Sequence, residues 1–390
     1  MKVLLVTFEY PPFSGGIATF ALTLAETLAR LDCDVRVLAP AYPGCEAFDA
    51  GLASRTVRMR VGHERREAVR FIPGLIHLRR ELARFRPDVA LLASDLAHGL
   101  GAAACGARGV PYVPVVHGSE IAKHFPPRTL KQRAQAVWLR RAYALADRVV
   151  CVSAYVRTLM VGAGFDPARI AVIHNGIPDT TISAPRDPGR EKALRARLGI
   201  GDRRVVLTFA RLTPRKGQDV AIRALPSLLA RHPDACYVVA GTGADAGRLA
   251  RLARDEGVAA SVVFAGRIEE EDKLALLDLC DVYVLASRAE AQRVEGLGIA
   301  LLEAAARAKP LVAGRHGGVP EIVTHGESGW LVDPADPADV AARTADLLAD
   351  PERAARMGAA ARRIVSERFL AAAMGRAYRS LLGEVVGGAP

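Results

Sequence analysis

Short apolar runs recurring at intervals of about one helix length are the feature that most constrains this chain. KVLLVTF, DVRVLAP, DVALLAS, YVPVVH and RVVCVS appear in the first half, separated by segments long enough for a helix. Runs apolar at every position suit strands buried on both faces, and their alternation with helices is the pattern of a doubly wound parallel α/β sheet. A turn-rich stretch, IHNGIPDTTISAPRDPG (173–189), interrupts the series and reads as a linker. The series then restarts with RVVLTFA, ACYVVAG, SVVFAG, DVYVLAS, PLVAG and GWLV. The reading is two tandem Rossmann-like domains, 1–176 and 177–371, facing across a crevice, with an amphipathic helix over 372–390 crossing back onto the first. A length of 390 residues agrees with two domains of ordinary size. Open sheets of this kind bind ligands outside the carboxyl ends of their strands, so the loops there hold the candidate site.

Composition excludes several classes. No uncharged run reaches the roughly 18–20 residues that span a bilayer, and the opening MKVLLVTFEYPP is ended by Glu9 and two prolines before it could act as a signal peptide. The six cysteines have no C-x-x-C spacing, and Cys151 and Cys236 fall in strand-like runs, so buried reduced thiols of a cytoplasmic protein are expected. The formal charge of +11 is uneven. Residues 1–178 carry 23 Lys and Arg against 14 Asp and Glu, a balance of +9, concentrated in 55–86 and 123–148. Two readings of these basic stretches stand side by side: solvated helix faces, or peripheral contact with an anionic membrane at its inner face. No nucleic-acid motif accompanies the charge, so no nucleic-acid partner is expected.

Five stretches place chemistry at strand ends. EYPPFSGGIATF puts Gly15 and Gly16 where the first loop should open into a helix, although no G-x-G-x-x-G is present. FARLTPRKGQD sets Arg211 and Lys216 in the loop after the first strand of the second half. Two fixed cations there suit a departing diphosphate, whose negative charge grows in the transition state. VVAGTGADAGRL and FAGRIEEEDKL are strand–glycine–helix transitions, in which Gly241, Gly243 and Gly266 either shape turns or let a ligand lie against the backbone. RVEGLGIALLEAAARAKP carries Glu295 before, and Glu303 about two turns into, a helix starting near Gly298. Its free backbone N–H groups would form a phosphate site, with Glu295 facing a polyol and Glu303 either accepting from ribose hydroxyls or standing as a helix-surface carboxylate. PVVHGSEI ends a strand at His117, which reads equally as structural or as a donor near a reacting sugar. Asp32–Asp34 imitates an Asp-x-Asp metal motif but lies in a turn, and His63, His77, His98 and His124 lack ligand spacing, so no metal is expected.

Taken in order, YPPFSGGIATF, RLTPRKGQD, GTGADAGRL, GRIEEEDKL and EGLGIALLEAAARAKPLVAGRHGGVPEIV resemble the family 4 retaining glycosyltransferases of GT-B fold, over nearly the whole chain. The resemblance implies transfer of a sugar from a nucleotide donor to a hydroxyl, with retention at the anomeric carbon, no metal and no cofactor. By position it gives Arg211 and Lys216 to the diphosphate, Glu295 to the donor sugar and Glu303 to the ribose. Backbone amides of Leu297, Gly298 and Ile299 would receive phosphate, His117 would touch the transferring sugar, and Gly16 would shape the donor–acceptor gap. Gly241, Gly243, Arg267 and Ile268 complete the expected donor site. RVEGLGI looks like the variant in bacterial phosphatidylinositol mannoside mannosyltransferases, which implies GDP-mannose and a lipid-linked or glycan acceptor. HNGIP in the linker departs from that subgroup, and a UDP-sugar donor remains the alternative. Other readings of the architecture are a nucleotide-sugar 2-epimerase, a pyridoxal-dependent phosphorylase, disfavoured by a second half with few lysines, and a nucleotide-sugar sensor without catalysis.

Overall fold

The computed structural model describes residues 1–13, 15–61 and 67–388; Ser14, His63 and the rest of 62–66, and the final two residues lie outside it. The chain divides into two compact units, one of residues 1–176 together with the segment from Ala371 onward, the other of Ile177–Leu370.

The first unit holds a parallel sheet of β1 (Lys2–Val6), β2 (Asp34–Pro40), β3 (Arg55–Met59), β4 (Val89–Leu92), β5 (Tyr112–Val116), β6 (Val149–Cys151) and β7 (Ile170–Val172). Their spatial order is β3-β2-β1-β4-β5-β6-β7. Chain order reverses between β1 and β4, which pair with Leu5 opposite Leu91. The strands foreseen from apolar runs are all present, and two more join them. β3 was hidden inside the basic stretch 55–86, read as a helix face. It is the sheet edge, where charged residues are tolerated because one side is open. Its Arg58 forms a two-pronged pair with Asp49 and donates to the Pro40 and Pro11 carbonyls. β7, only three residues long, is the other edge.

The second unit is a six-stranded parallel sheet of β8 (Arg204–Phe209), β9 (Ala235–Ala240), β10 (Val262–Gly266), β11 (Val282–Leu285), β12 (Leu311–Gly314) and β13 (Gly329–Val332), in the order β10-β9-β8-β11-β12-β13. Alternate side chains of a strand face opposite sides. Val205 and Leu207 of β8 enter a core built with the helices Glu270–Asp278, Ile299–Ala306 and Pro351–Arg368. Val206 enters a second core with Gln218–Arg231 and Pro337–Ala349. Three helices of this unit begin Asp-Pro: Asp187, Asp336 and Asp350 cap the backbone N–H groups of Arg190, Ala338 and Arg353. Proline at the first helical position removes an N–H that would have no intrahelical partner.

The stretch 173–189, read as a linker, is firmly held by the second unit from Ile177 onward. Arg307, nearly buried, forms a two-pronged pair with Asp278 and donates to the Thr181 and Ala184 carbonyls. The C-terminal helix Ala371–Gly387 belongs to the first unit and packs on the helix Gly16–Arg30. The contact is close. A Cβ on Gly375 would lie 2.4 Å from Cγ2 of Thr27, itself pinned by a 2.6 Å hydrogen bond to the Thr23 carbonyl. Gly375→Val should therefore destabilise the first unit by about 1–3 kcal/mol, read as a lower denaturant midpoint; an unchanged midpoint would mean that this helix is not seated as described.

Candidate active site

In the second unit chain order reverses between β8 and β11, and the loops leaving these two strands meet at one carboxylate. Glu295 is buried, and its Oε2 accepts from Lys216 Nζ at 2.6 Å and from Arg215 Nη1 at 3.0 Å. Burial alone would raise the Glu295 pKa, but the Lys216 and Arg215 charges outweigh it and hold the carboxyl below its ordinary value. Burial, opposed by Glu295, leaves Lys216 below the usual lysine range. Arg215 also donates to the Val294 carbonyl, and its own carbonyl accepts from the Arg288 N–H. Arg211, in the same loop, has an exposed side chain, and its carbonyl accepts from Gln218. The expectation gave Lys216 to a phosphate and Glu295 to a sugar; the structure joins the two directly.

The second glutamate sits on the helix Ile299–Ala306. Glu303 is buried, and its Oε1 lies 2.6 Å from Lys273 Nζ on the helix Glu270–Asp278. Burial works against the Lys273 charge, but Glu303 and Glu270 overcome it and raise its pKa to about 12. Gly298 immediately precedes this helix, Leu297 is buried in the core, and Ile299 is partly buried against it. Ile268 packs partly on the same core, whereas Arg267 extends outward beside Glu269 at 3.6 Å.

The glycines have a packing duty that the sequence reading had set against ligand approach. A Cβ on Gly241 would stand 2.2 Å from the Ala210 carbonyl oxygen, and one on Gly243 would stand 2.1 Å from that of Leu212. The loop after β9 thus lies directly on the loop that carries Arg211. Gly317 does the same beneath Glu295, where a Cβ would meet the Glu295 carbonyl oxygen at 2.0 Å.

In the first unit, His117 follows β5 and Gly16 opens the helix Gly16–Arg30. Burial, then the neighbouring His98, push the His117 pKa down to about 3 against a hydrogen bond to the Ala93 carbonyl. The ring is therefore neutral. A carbonyl only accepts, so the ring nitrogen facing Ala93 carries the proton. Nε2, buried and without a partner among the described residues, is left as an acceptor. The His117 backbone N–H donates to Glu120 Oε1 at 2.6 Å. Glu120 is itself buried, and burial raises its pKa to about 7. His98 bridges the Leu92 and Val115 carbonyls and the Tyr143 hydroxyl, a structural role. Asp32 lies in a turn and Asp34 is the first residue of β2. Among the described residues no three His, Cys, Asp or Glu side chains gather as a metal site, and no helix is long and apolar enough to cross a membrane.

The model of Glycosyltransferase Family 4 matches residues 14–181, and that of Glycosyl transferases group 1 matches 190–364. The GDP-mannose-dependent alpha-(1-6)-phosphatidylinositol monomannoside mannosyltransferase of Mycolicibacterium smegmatis is 36% identical, with 89% of each chain covered. The Mycobacterium tuberculosis enzyme of the same name is 35% identical with the same coverage. The chain belongs to the family 4 glycosyltransferases. Among solved structures, Anabaena Alr3699/HepE in complex with UDP and glucose aligns over 98% of this chain and 100% of its own, with a TM-score of 0.83 at 22% identity. Sucrose-phosphate synthase of Thermosynechococcus elongatus aligns over 98% and 99% with a TM-score of 0.80 at 20% identity. These likenesses establish the GT-B class of fold. As a family 4 glycosyltransferase the chain is an enzyme that uses a nucleotide-sugar donor.

Three features around these candidate residues have no clear signal in the sequence. Arg215 and Lys273 find their carboxylates 80 and 30 positions away, a pairing no local pattern announces. The Gly-Gly of GRHGGVP was noticed only as part of the family motif. The stretch SRAEAQR (287–293) contains two successive left-handed residues, Ala291 at φ 44° and Gln292 at φ 67°. They turn a tight hairpin closed by paired hydrogen bonds between Glu290 and Arg293.

Neither residue suits that turn, which favours Asn and Gly. Ala291→Asn should raise the stability of the second unit by about 1 kcal/mol, seen as a higher thermal midpoint; a fall would show that the turn is not strained.

The buried Glu120 gives a second expectation. Below its ordinary pKa of 4.5 the carboxyl is neutral in the folded and unfolded chain alike; between there and about 7 only the folded chain keeps the proton. Stability should therefore decline as pH rises through that window, by up to roughly 1.4 kcal/mol per pH unit. Chemical denaturation of Glu120→Gln across the same window should show a flatter profile; an identical slope would place the titration elsewhere.

Proposed function

We propose that this glycosyltransferase moves mannose from GDP-mannose to a hydroxyl of a lipid-linked or glycan acceptor, with retention of anomeric configuration and without a metal. The observation that supports the chemistry is the meeting of Lys216, Arg215 and Glu295 where chain order reverses between β8 and β11, the place where such sheets bind nucleotides. The donor assignment draws on the two mycobacterial mannosyltransferases and on their coverage of nearly the whole chain.

In this reading the reaction breaks the bond between the anomeric carbon and the diphosphate, and charge accumulates on the leaving oxygens. Lys216 and Arg211 neutralise that charge. Only one of the three Lys216 N–H donors is needed by Glu295, so the ammonium serves a phosphate oxygen as well. Glu295, kept ionised by its two cations, holds the Lys216 head in place and presents its remaining acceptor capacity to the donor sugar. Backbone N–H groups from Leu297 to Ile299, at a helix start, take a phosphate oxygen. Glu303 has acceptor sites enough for both Lys273 and a ribose hydroxyl. The acceptor hydroxyl attacks the face the diphosphate leaves and gives its proton to the departing diphosphate oxygen as the bond from the anomeric carbon to that oxygen breaks.

Thermal unfolding with GDP, UDP and ADP, each with and without EDTA, tests this reading. GDP at about 100 times its dissociation constant should stabilise the nucleotide-binding unit by roughly 2.7 kcal/mol, unchanged by EDTA, and Lys216→Met should abolish the shift. A shift with UDP alone would discard the mannosyl donor. A shift lost on adding EDTA would discard metal independence, and no shift from folded protein would discard the site.

A further inference from the structure

A groove opens in the second unit at the end of the sheet away from the candidate active site. Lys216 and Glu295 follow β8 and β11, at the carboxyl ends of the strands, whereas Asp278 and Lys309 precede β11 and β12, at the amino ends. The groove that Asp278 and Lys309 line has a volume of about 490 Å³, within the roughly 300–1,000 Å³ of sites that hold small organic molecules. Ile182, Ala184 and Pro185 contribute to its apolar lining. Four cations line it too, Arg186, Arg307, Lys309 and Arg362, against one carboxylate, that of Asp278.

Hydrogen bonding inside the groove leaves donors over. Arg307 takes up Asp278, its Nε and Nη2 each meeting one carboxylate oxygen. Lys309 gives two of its three Nζ–H groups to the Asp278 and Cys280 carbonyls, at 2.7 and 2.9 Å. Arg186 pairs with Glu191 through Nε and Nη2, which leaves the two N–H groups of Nη1. Arg362 donates to the Ile182 carbonyl at 3.1 Å. Among the described residues neither Lys309 nor Arg362 has a carboxylate partner.

The cations are held from behind. Ala308 is left-handed, at φ 55°, a conformation costly to a residue with a side chain. It turns the chain so that the Lys309 backbone N–H returns to the Ala304 carbonyl at the end of the helix Ile299–Ala306. The helix Pro351–Arg368, which carries Arg362, presses on the same turn: a Cβ on Gly358 would lie 2.0 Å from the Ala308 carbonyl oxygen. Backbone strain of this kind collects at ligand clamps. Fixed cations in excess of carboxylates suit an oxyanion, and grouped N–H donors match the oxygens of a phosphate.

We infer that this groove is a binding site for a small phosphate-bearing molecule, with the phosphate on Lys309, Arg186 and Arg362 and the organic part on Ile182 and Pro185. The inference goes beyond the donor reading, and none of these five residues belongs to the donor site.

Calorimetric titration at constant ionic strength, balanced with chloride, tests it with phenyl phosphate and inorganic phosphate as probes. Phenyl phosphate should bind the unaltered chain, and Arg186→Gln with Arg362→Gln should weaken that binding by about tenfold or more. Both arginines are exposed, so the double variant should fold, as a cooperative thermal transition would verify, and should keep the GDP-dependent thermal shift. Arg362→Gln alone should weaken binding in the same direction. Tighter binding of phenyl phosphate than of inorganic phosphate would support the apolar lining as part of the site; equal binding would make free phosphate the ligand. Folded protein that binds neither probe would overturn the inference. So would an affinity that the double substitution leaves unchanged, since the donor site would then account for it. Loss of the GDP response with phosphate binding intact would count against the donor reading alone.

Discussion

The second unit is organised around a carboxylate that should not be comfortable where it is. Glu295 is almost entirely withdrawn from water, and an isolated carboxylate there would take up a proton rather than remain charged. Lys216 and Arg215 reverse that preference, and in doing so they tie the loop after β8 to the loop after β11. A buried pair of this kind is a poor source of net stability, yet removing one partner is costly because the other charge is stranded. The consequence is geometric. Two loops from strands adjacent in the sheet but distant in sequence are locked in one arrangement, and a cationic head is aimed with little freedom. The glycines follow from the same requirement, since loops that approach this closely leave no space for a Cβ at Gly241, Gly243 or Gly317.

The two glutamates that bracket the start of the helix Ile299–Ala306 are thus treated alike. Each is buried and each has a lysine at 2.6 Å, Lys216 for Glu295 and Lys273 for Glu303. An ionised carboxylate accepts at several positions and donates at none. A lysine on one side therefore fixes its charge and orientation, while the other side stays suited to hydroxyl donors. Sugars and ribose offer those donors. What the sequence shows as a pair of carboxylates at a regular spacing becomes, in three dimensions, a pair of lysine-anchored acceptors.

Legibility followed the range of the interactions involved. Strands buried on both faces could be read from uninterrupted apolar runs such as KVLLV and VYVL, because a central parallel strand demands apolar residues at every position. β3 could not, because an edge strand tolerates Arg55 and Arg58, and a basic segment looks the same whether it is a strand edge or a helix face. Lys216 and Glu295 stand out as candidate residues from their motifs, but their mutual bond does not, since nothing local connects positions 79 apart. The hairpin at Ala291 and Gln292 ran against every local preference, and its conformation is imposed by the ends it joins. His117 was legible as a strand-end residue, whereas the direction of its hydrogen bonding depended on Ala93, from a different strand end.

Glu120 of the first unit is accommodated by the opposite route. Where Glu295 is kept ionised by cations, at Glu120 burial outweighs the backbone N–H donors of His117 and of Glu120 itself and leaves the pKa near 7. The neighbouring imidazole is held neutral by the same desolvation. A site lined by cations favours a diphosphate. The contrast between Glu295 and Glu120 is a difference in how each carboxyl is accommodated in burial, by neighbouring charge in one and by proton uptake in the other.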